Sequence, residues 1–144
     1  MHVKRILCAT DFSSSAETAM EHAVMLAEAL HAEIQLLHVY QRSAGHAIAF
    51  SSRSTENPEQ KITDHYREQL DQIIAAYASH NVTIEGVLME GPAWERIVSK
   101  AKELAVDMIV VGRNGRAGLS QSFVGSTATR IVKHATVPVL TVRA

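Results

Sequence analysis

The chain has a single cysteine in 144 residues, Cys8, so no internal disulfide can form and a reducing compartment such as the cytoplasm is expected. Its place inside the first apolar run predicts a buried, inert thiol. No stretch approaches the roughly 20 apolar residues needed to span a bilayer, and the N-terminus carries no signal-peptide cleavage pattern. Charge of one sign is also lacking. The formal net charge of -1 gives no reason to expect nucleic acid or an anionic membrane as a partner. The chain shows no internal repeat and no linker-like composition shift. With 47% hydrophobic and 20% charged residues, it reads as one globular domain over residues 1–144 with a sizeable core.

What is present is a regular alternation of strand-length and helix-length apolar patterns. Residues 3–9 read as a first strand. A helix follows from Ser14, with Glu17 placed to close a capping box and Ala16, Met20, Ala23, Ala27 and Leu30 along one face. Residues 34–39 form a second strand and residues 41–57 a polar loop. Asn57-Pro58 has the form of an N-cap with proline at the first helical position, before a stripe of Ile62, Tyr66, Leu70, Ile73, Ile74 and Tyr77. Strand three, near residues 82–86, alternates apolar and polar side chains and fits an edge. Gly91-Pro92 opens a helix with Trp94, Ile97, Val98, Ala101 and Leu104 facing inward. Residues 107–111 are a buried strand, residues 128–134 have helical spacing, and residues 137–142 form a last strand that Pro138 assigns to an edge. Five strands alternating with four helices predict an open, parallel, Rossmann-like sheet with helices on both faces.

With strands three and five as edges, the order becomes 3-2-1-4-5, and the ligand crevice lies between the carboxyl ends of strands one and four. Strand one ends at Ala9-Thr10-Asp11. Strand four ends at Val111-Gly112, followed by Gly115 and then by Gly125-Ser126-Thr127 at the start of the last helix. Such a strand-to-helix turn can gather backbone N–H groups and the positive end of a helix dipole around an anion. It is not a P-loop, because no lysine follows the glycines. Nor is it the dinucleotide fingerprint, which belongs after the first strand.

The spacing G-x2-G-x9-G-S-T resembles the universal stress protein family in its ATP-binding branch. So do Thr10-Asp11-Phe12-Ser13, Leu37-His38-Val39 and Val137-Pro138-Val139-Leu140. The resemblance covers essentially the whole chain and implies an adenine nucleotide alpha hydrolase-like fold, a role in stress response, ATP as ligand and a homodimer formed through residues 137–142. It implies that Asp11 sits beside the adenosine, with Ala9 and Thr10 on the same floor, and that Val39 meets the adenine through its backbone. Val111 and Gly112 would then lie near the ribose, with Gly115, Gly125, Ser126 and Thr127 at the phosphates. Ala9 stands where some ATP-binding relatives carry proline, which is expected to alter the pocket floor slightly.

Structural roles compete for the same residues. Asp11 could cap the first helix or its preceding turn, and Ser126 and Thr127 are good helix-start residues with or without a ligand. Arg113 and Arg116 flank the glycines but read equally well as solvated arginines, so they stay outside the expected site. The eight histidines lack zinc spacing, and His38 reads as a hydrogen-bonded core residue. No protein-bound metal is expected, although Mg2+ could arrive with the nucleotide. A slow ATP hydrolase or phosphotransferase is the runner-up, weakened by the missing lysine and by the absence of any acidic residue after Gly112. A third possibility is an interaction module that has lost its nucleotide.

Overall fold

The computed structural model describes residues 1–42, 57–114 and 124–144. The elements are β1 (Arg5–Ala9), α1 (Ser14–Leu30), β2 (Glu33–Tyr40), α2 (Pro58–Ala76), β3 (Ile84–Glu90), α3 (Ala93–Glu103), β4 (Met108–Gly112), α4 (Ser126–His134) and β5 (Val139–Val142). All strand pairs are parallel and the order is β3-β2-β1-β4-β5, as the alternation predicts. Pro138 lies just before β5 and needs no ladder donor. Its carbonyl accepts from the Ile109 N–H at 2.9 Å.

Side-chain alternation along the central strands builds two cores. Ile6 and Cys8 of β1 join Ile34, Leu36 and Val110 under α1 and α2, while Leu7, Leu37, Ile109 and Val111 pack against α3 and α4. Each fully buried Leu or Ile contributes roughly 1.5–3 kcal/mol. The inner face of α1 is mostly small: Ala16, Ala19, Ala23 and Ala27 are all buried, which lets the helix lie close to β1 and β4.

Three expectations need correcting. Leu30 is 40% exposed and does not continue the apolar face, because the helix is at its last turn there. Residues 3 and 4 precede β1, which starts at Arg5. The cap of α1 is Ser13, whose side chain accepts from the Ala16 N–H at 3.2 Å, so no Ser14–Glu17 capping box forms. The shift has a local cause. Phe12 takes a left-handed φ of 63°, held by the Phe12 N–H to Thr10 Oγ1 and by the Ser13 N–H to Asp11 Oδ1, both 3.0 Å. That sharp turn leaves Ser13 extended, the conformation of an N-cap. Asn57, by contrast, caps α2 as expected, accepting from the Glu59 N–H at 3.0 Å. The loop assigned to residues 41–57 falls largely outside the described residues.

Cys8 is 0% exposed, and burial pushes its thiol up to about 12. We predict no labelling of the folded chain by a water-soluble thiol reagent at pH 8, and one equivalent after unfolding. Rapid labelling of the native protein would contradict the packing of β1.

The carboxylate of Asp107 ties the start of β4 to β1, accepting from the backbone N–H groups of Lys4 at 2.9 Å and Arg5 at 3.0 Å. Those bonds favour the charged form and lower its pKa. The depressed folded pKa means stability that is present above the ordinary carboxylate range and lost as pH falls through the folded value. Asp107→Ala should therefore be less stable than the parent at neutral pH, with the difference closing below about pH 4. Urea midpoints across that range measure it.

Among the described residues no helix is long and apolar enough to cross a membrane.

Candidate functional site

The carboxyl ends of β1 and β4 lie side by side, with Ala9 opposite Val111. Here the chain passes to α1 on one face and toward α4 on the other, leaving the crevice that a reversal of strand order creates. A cavity of about 290 Å3 occupies it. Nine of the ten residues expected at the site line this cavity: Ala9, Thr10, Asp11, Val39, Val111, Gly112, Gly125, Ser126 and Thr127. The tenth, Gly115, lies outside the described residues, as does Arg116.

The two ends of the cavity differ in chemistry. Leu37 and Val39 of β2, Ala9 of β1, and Ala93 and Ile97 of α3 make one end apolar. At the other end, Gly125, Ser126, Thr127 and Ala128 present the N-terminus of α4. Gly125 gives this helix no side-chain cap, and its first turn holds no acidic residue. Uncapped first-turn N–H groups and the helix dipole leave this end positive. The last turn carries Lys133 and His134, which suit its negative end, and His134 stacks on Trp94 at 4.7 Å.

Asp11 plays the turn role and lines the cavity as well. Its Oδ1 accepts from the Ser13 N–H, while the Thr10 N–H donates to the Leu37 carbonyl at 2.9 Å and fixes the floor beneath it. The Thr10 carbonyl meets His38 Nδ1 at 2.7 Å, and the His38 ring lies 4.4 Å from that of Phe12 and 4.6 Å from that of Tyr66. His38 is thus a packed, hydrogen-bonded residue beneath the turn. The aromatic packing helps hold Phe12 in its left-handed conformation, which costs on the order of 1 kcal/mol or more.

Among the described residues Gly91 is the one glycine with a positive φ, and Gly125 has φ −59°. Gly112 serves close approach instead, and on the protein side. A Cβ there would lie 2.6 Å from Ser15 Oγ and 2.8 Å from the Ser15 carbonyl carbon.

Sequence reasoning also missed lining residues. Arg113 and Asn114 belong to the cavity wall. Their position directly after Gly112 was the available signal, but a flanking arginine looks the same in sequence whether solvated or inward. Ala93 and Ile97 read simply as the core face of a helix, and nothing in their spacing tells a cavity wall from packed interior. Among the described residues no group of three or more His, Cys, Asp or Glu could hold a metal.

The profile of the Universal stress protein family matches residues 2–143. The chain belongs to that family. The universal stress protein MJ0577 of Methanocaldococcus jannaschii is 28% identical over 153 residues, covering 97% of this chain and 94% of that protein. Its solved structure superposes with a TM-score of 0.83 at 26% identity, covering 100% of this chain and 98% of the other. The universal stress protein UspA of Lactobacillus plantarum gives 0.82 at 26% identity, covering 99% of both. Two more distant universal stress proteins share the fold. One was solved in complex with cAMP (TM-score 0.68, 24% identity, covering 99% of this chain and 98% of the other). The other, from Archaeoglobus fulgidus, was solved in complex with dAMP (0.71, 20%, covering 99% and 100%).

Proposed function

We propose that this universal stress protein belongs to the ATP-binding branch of its family and acts as a cytoplasmic regulatory protein whose bound nucleotide sets its conformation. The observation that carries the reading is the division of a single cavity into an apolar end and an uncapped helix N-terminus, at the reversal of strand order. An adenine base suits the first end, between Val39, Ala9 and Ala93. Phosphate oxygens suit the second, at Gly125, Ser126 and Thr127, with Gly115 of the same motif completing the set and Asp11, Val111 and Gly112 between the ends. The cAMP and dAMP complexes of two proteins with this fold support the adenine-nucleotide class. The described cavity wall has no acidic cluster, so Mg2+ would be held by phosphates and water. Residues 1–144 work as one nucleotide-binding unit in this reading, paired in a homodimer through the free edge of β5. An exposed strand edge gains from such pairing. An unidentified partner protein would read the nucleotide-dependent conformation by population shift.

Binding is favoured over turnover. Phosphoryl transfer needs a group that orients the nucleophile and charge that stabilises the transferring phosphoryl. Among the described lining residues one carboxylate, Asp11, and one guanidinium, Arg113, are on hand, and Asp11 already accepts a hydrogen bond within its own turn. The test is to purify the protein without added nucleotide, denature it and identify the released small molecule by chromatography. Released ATP supports the regulatory reading, and released ADP or AMP favours slow hydrolysis. If nothing is released and titration shows no micromolar ATP binding, the nucleotide assignment fails and an interaction module is left.

A further inference from the structure

A buried hydroxyl on the first turn of α1 joins three parts of the fold. Ser15 is 4% exposed. Its Oγ donates to the Val142 carbonyl and accepts from the Asn114 N–H, each at 3.3 Å. One hydroxyl proton and two lone pairs satisfy both bonds at once. The Val142 carbonyl also accepts from the Arg113 N–H at 2.7 Å, and the Arg113 carbonyl accepts from the Gly125 N–H at 2.8 Å. A continuous hydrogen-bonded path thus runs from the last residue of β5 through Arg113 at the cavity wall to the N-cap of α4, and Ser15 joins Asn114 to it at the Val142 carbonyl.

Ser15 is not among the cavity-lining residues, so it acts on a ligand through others. Gly112 is the seat that admits it, since any Cβ at that position would overlap its hydroxyl and carbonyl. The first glycine of the motif is therefore explained by a serine at the start of α1 and not by direct approach of a ligand. Among the described residues β5 pairs with β4 alone, and the Ser15 bond meets it at Val142, where that pairing ends opposite Gly112.

We propose that Ser15 is a positioning residue that couples the anion-binding end of the cavity to the edge strand β5. A nucleotide seated at Gly125–Thr127 fixes Arg113 and Asn114 beside it; Arg113 holds the Val142 carbonyl directly, and Asn114 holds the serine hydroxyl that bonds the same carbonyl. Without the hydroxyl, the Asn114 N–H loses its acceptor and Val142 keeps the Arg113 bond alone. The site would then still order itself but pass much less of that order to the edge. The inference rests on the nucleotide reading above.

The test is amide hydrogen exchange on the full chain, with and without saturating ATP, for the parent and for Ser15→Ala. In the parent, ATP slows exchange both at residues 124–129 and at residues 139–143. In Ser15→Ala, the slowing at 124–129 is kept, while the gain at 139–143 shrinks by roughly fivefold or more, the lower range of site-to-site coupling. An equal ATP-dependent gain at 139–143 in both proteins overturns the proposal. So does a uniform loss of protection that is the same with and without ATP, since that marks a merely structural serine. The parent alone decides one arm: protection at 124–129 with none at 139–143 also overturns the coupling. If ATP protects neither segment in the parent, the nucleotide reading fails first and the coupling falls with it.

Discussion

Replacing Gly112 with alanine should destabilise the fold by about 2–4 kcal/mol and remove nucleotide binding as a consequence. The added Cβ would stand 2.6 Å from Ser15 Oγ, 2.8 Å from the Ser15 carbonyl carbon and 2.9 Å from its oxygen. A serine hydroxyl can rotate away, but the backbone of the first turn of α1 cannot. That turn is held in place by the Ser13 cap and by the buried alanine face on β1 and β4. Relief requires α1 to lift from the sheet. Overpacking of this kind costs about 1–3 kcal/mol, and the two hydrogen bonds at Ser15 add about 1 kcal/mol when broken. Urea unfolding at constant m-value gives the stability change, and isothermal titration with ATP gives the affinity. A change below about 0.5 kcal/mol, within the range of an ordinary surface substitution, would refute the close approach of α1 to β4. Gly125 makes a useful contrast. Its φ of −59° is open to any residue, so Gly125→Ala should be tolerated far better by the backbone.

Much of this architecture was legible because apolar periodicity reports burial on both faces of a parallel sheet. The run at residues 107–111 has to be covered on both sides, whereas the alternation near Ile84 and the proline at 138 mark strands that need not be. From the edges followed the strand order, and from the order the crevice that Ala9, Asp11, Gly112 and Thr127 share. What escaped was geometry set by close approach in three dimensions. Ser14 with Glu17 matches a capping box as well as any sequence can. The cap moved to Ser13 because Phe12 turns left-handed under two side-chain hydrogen bonds, and such a turn has no linear signature at a phenylalanine. Gly112 was assigned to the site by its motif and lines the cavity, yet the atom that forbids a side chain there belongs to Ser15, 97 positions earlier in sequence. The inward placement of Arg113 and Asn114 likewise depends on hydrogen bonds to Val142 and Ser15 that spacing cannot express.

Ser126→Asp separates the helix-start role of the motif from its phosphate role, because the two predict effects of opposite sign. Ser126 is the first residue of α4, is exposed, and belongs to a first turn without an acidic residue. If the residue matters only as a helix start, a carboxylate there complements the helix dipole and stabilises the protein by about 0.3–1 kcal/mol. If phosphates also bind at this turn, the same carboxylate occupies their position and repels them. Two unit charges about 4 Å apart interact by roughly 4 kcal/mol near a protein surface, so even partial relaxation leaves ATP binding weakened by about 100-fold or more. The variant should therefore melt at or slightly above the parent temperature and bind ATP far more weakly. Adding salt should narrow the affinity gap by screening. Ser126→Asn keeps the shape without the charge, and its affinity should stay within about tenfold of the parent, the loss of one neutral hydrogen bond. Unchanged ATP affinity in Ser126→Asp would remove the phosphates from α4, whereas an equal loss in Ser126→Asn would trace the effect to shape and not to charge.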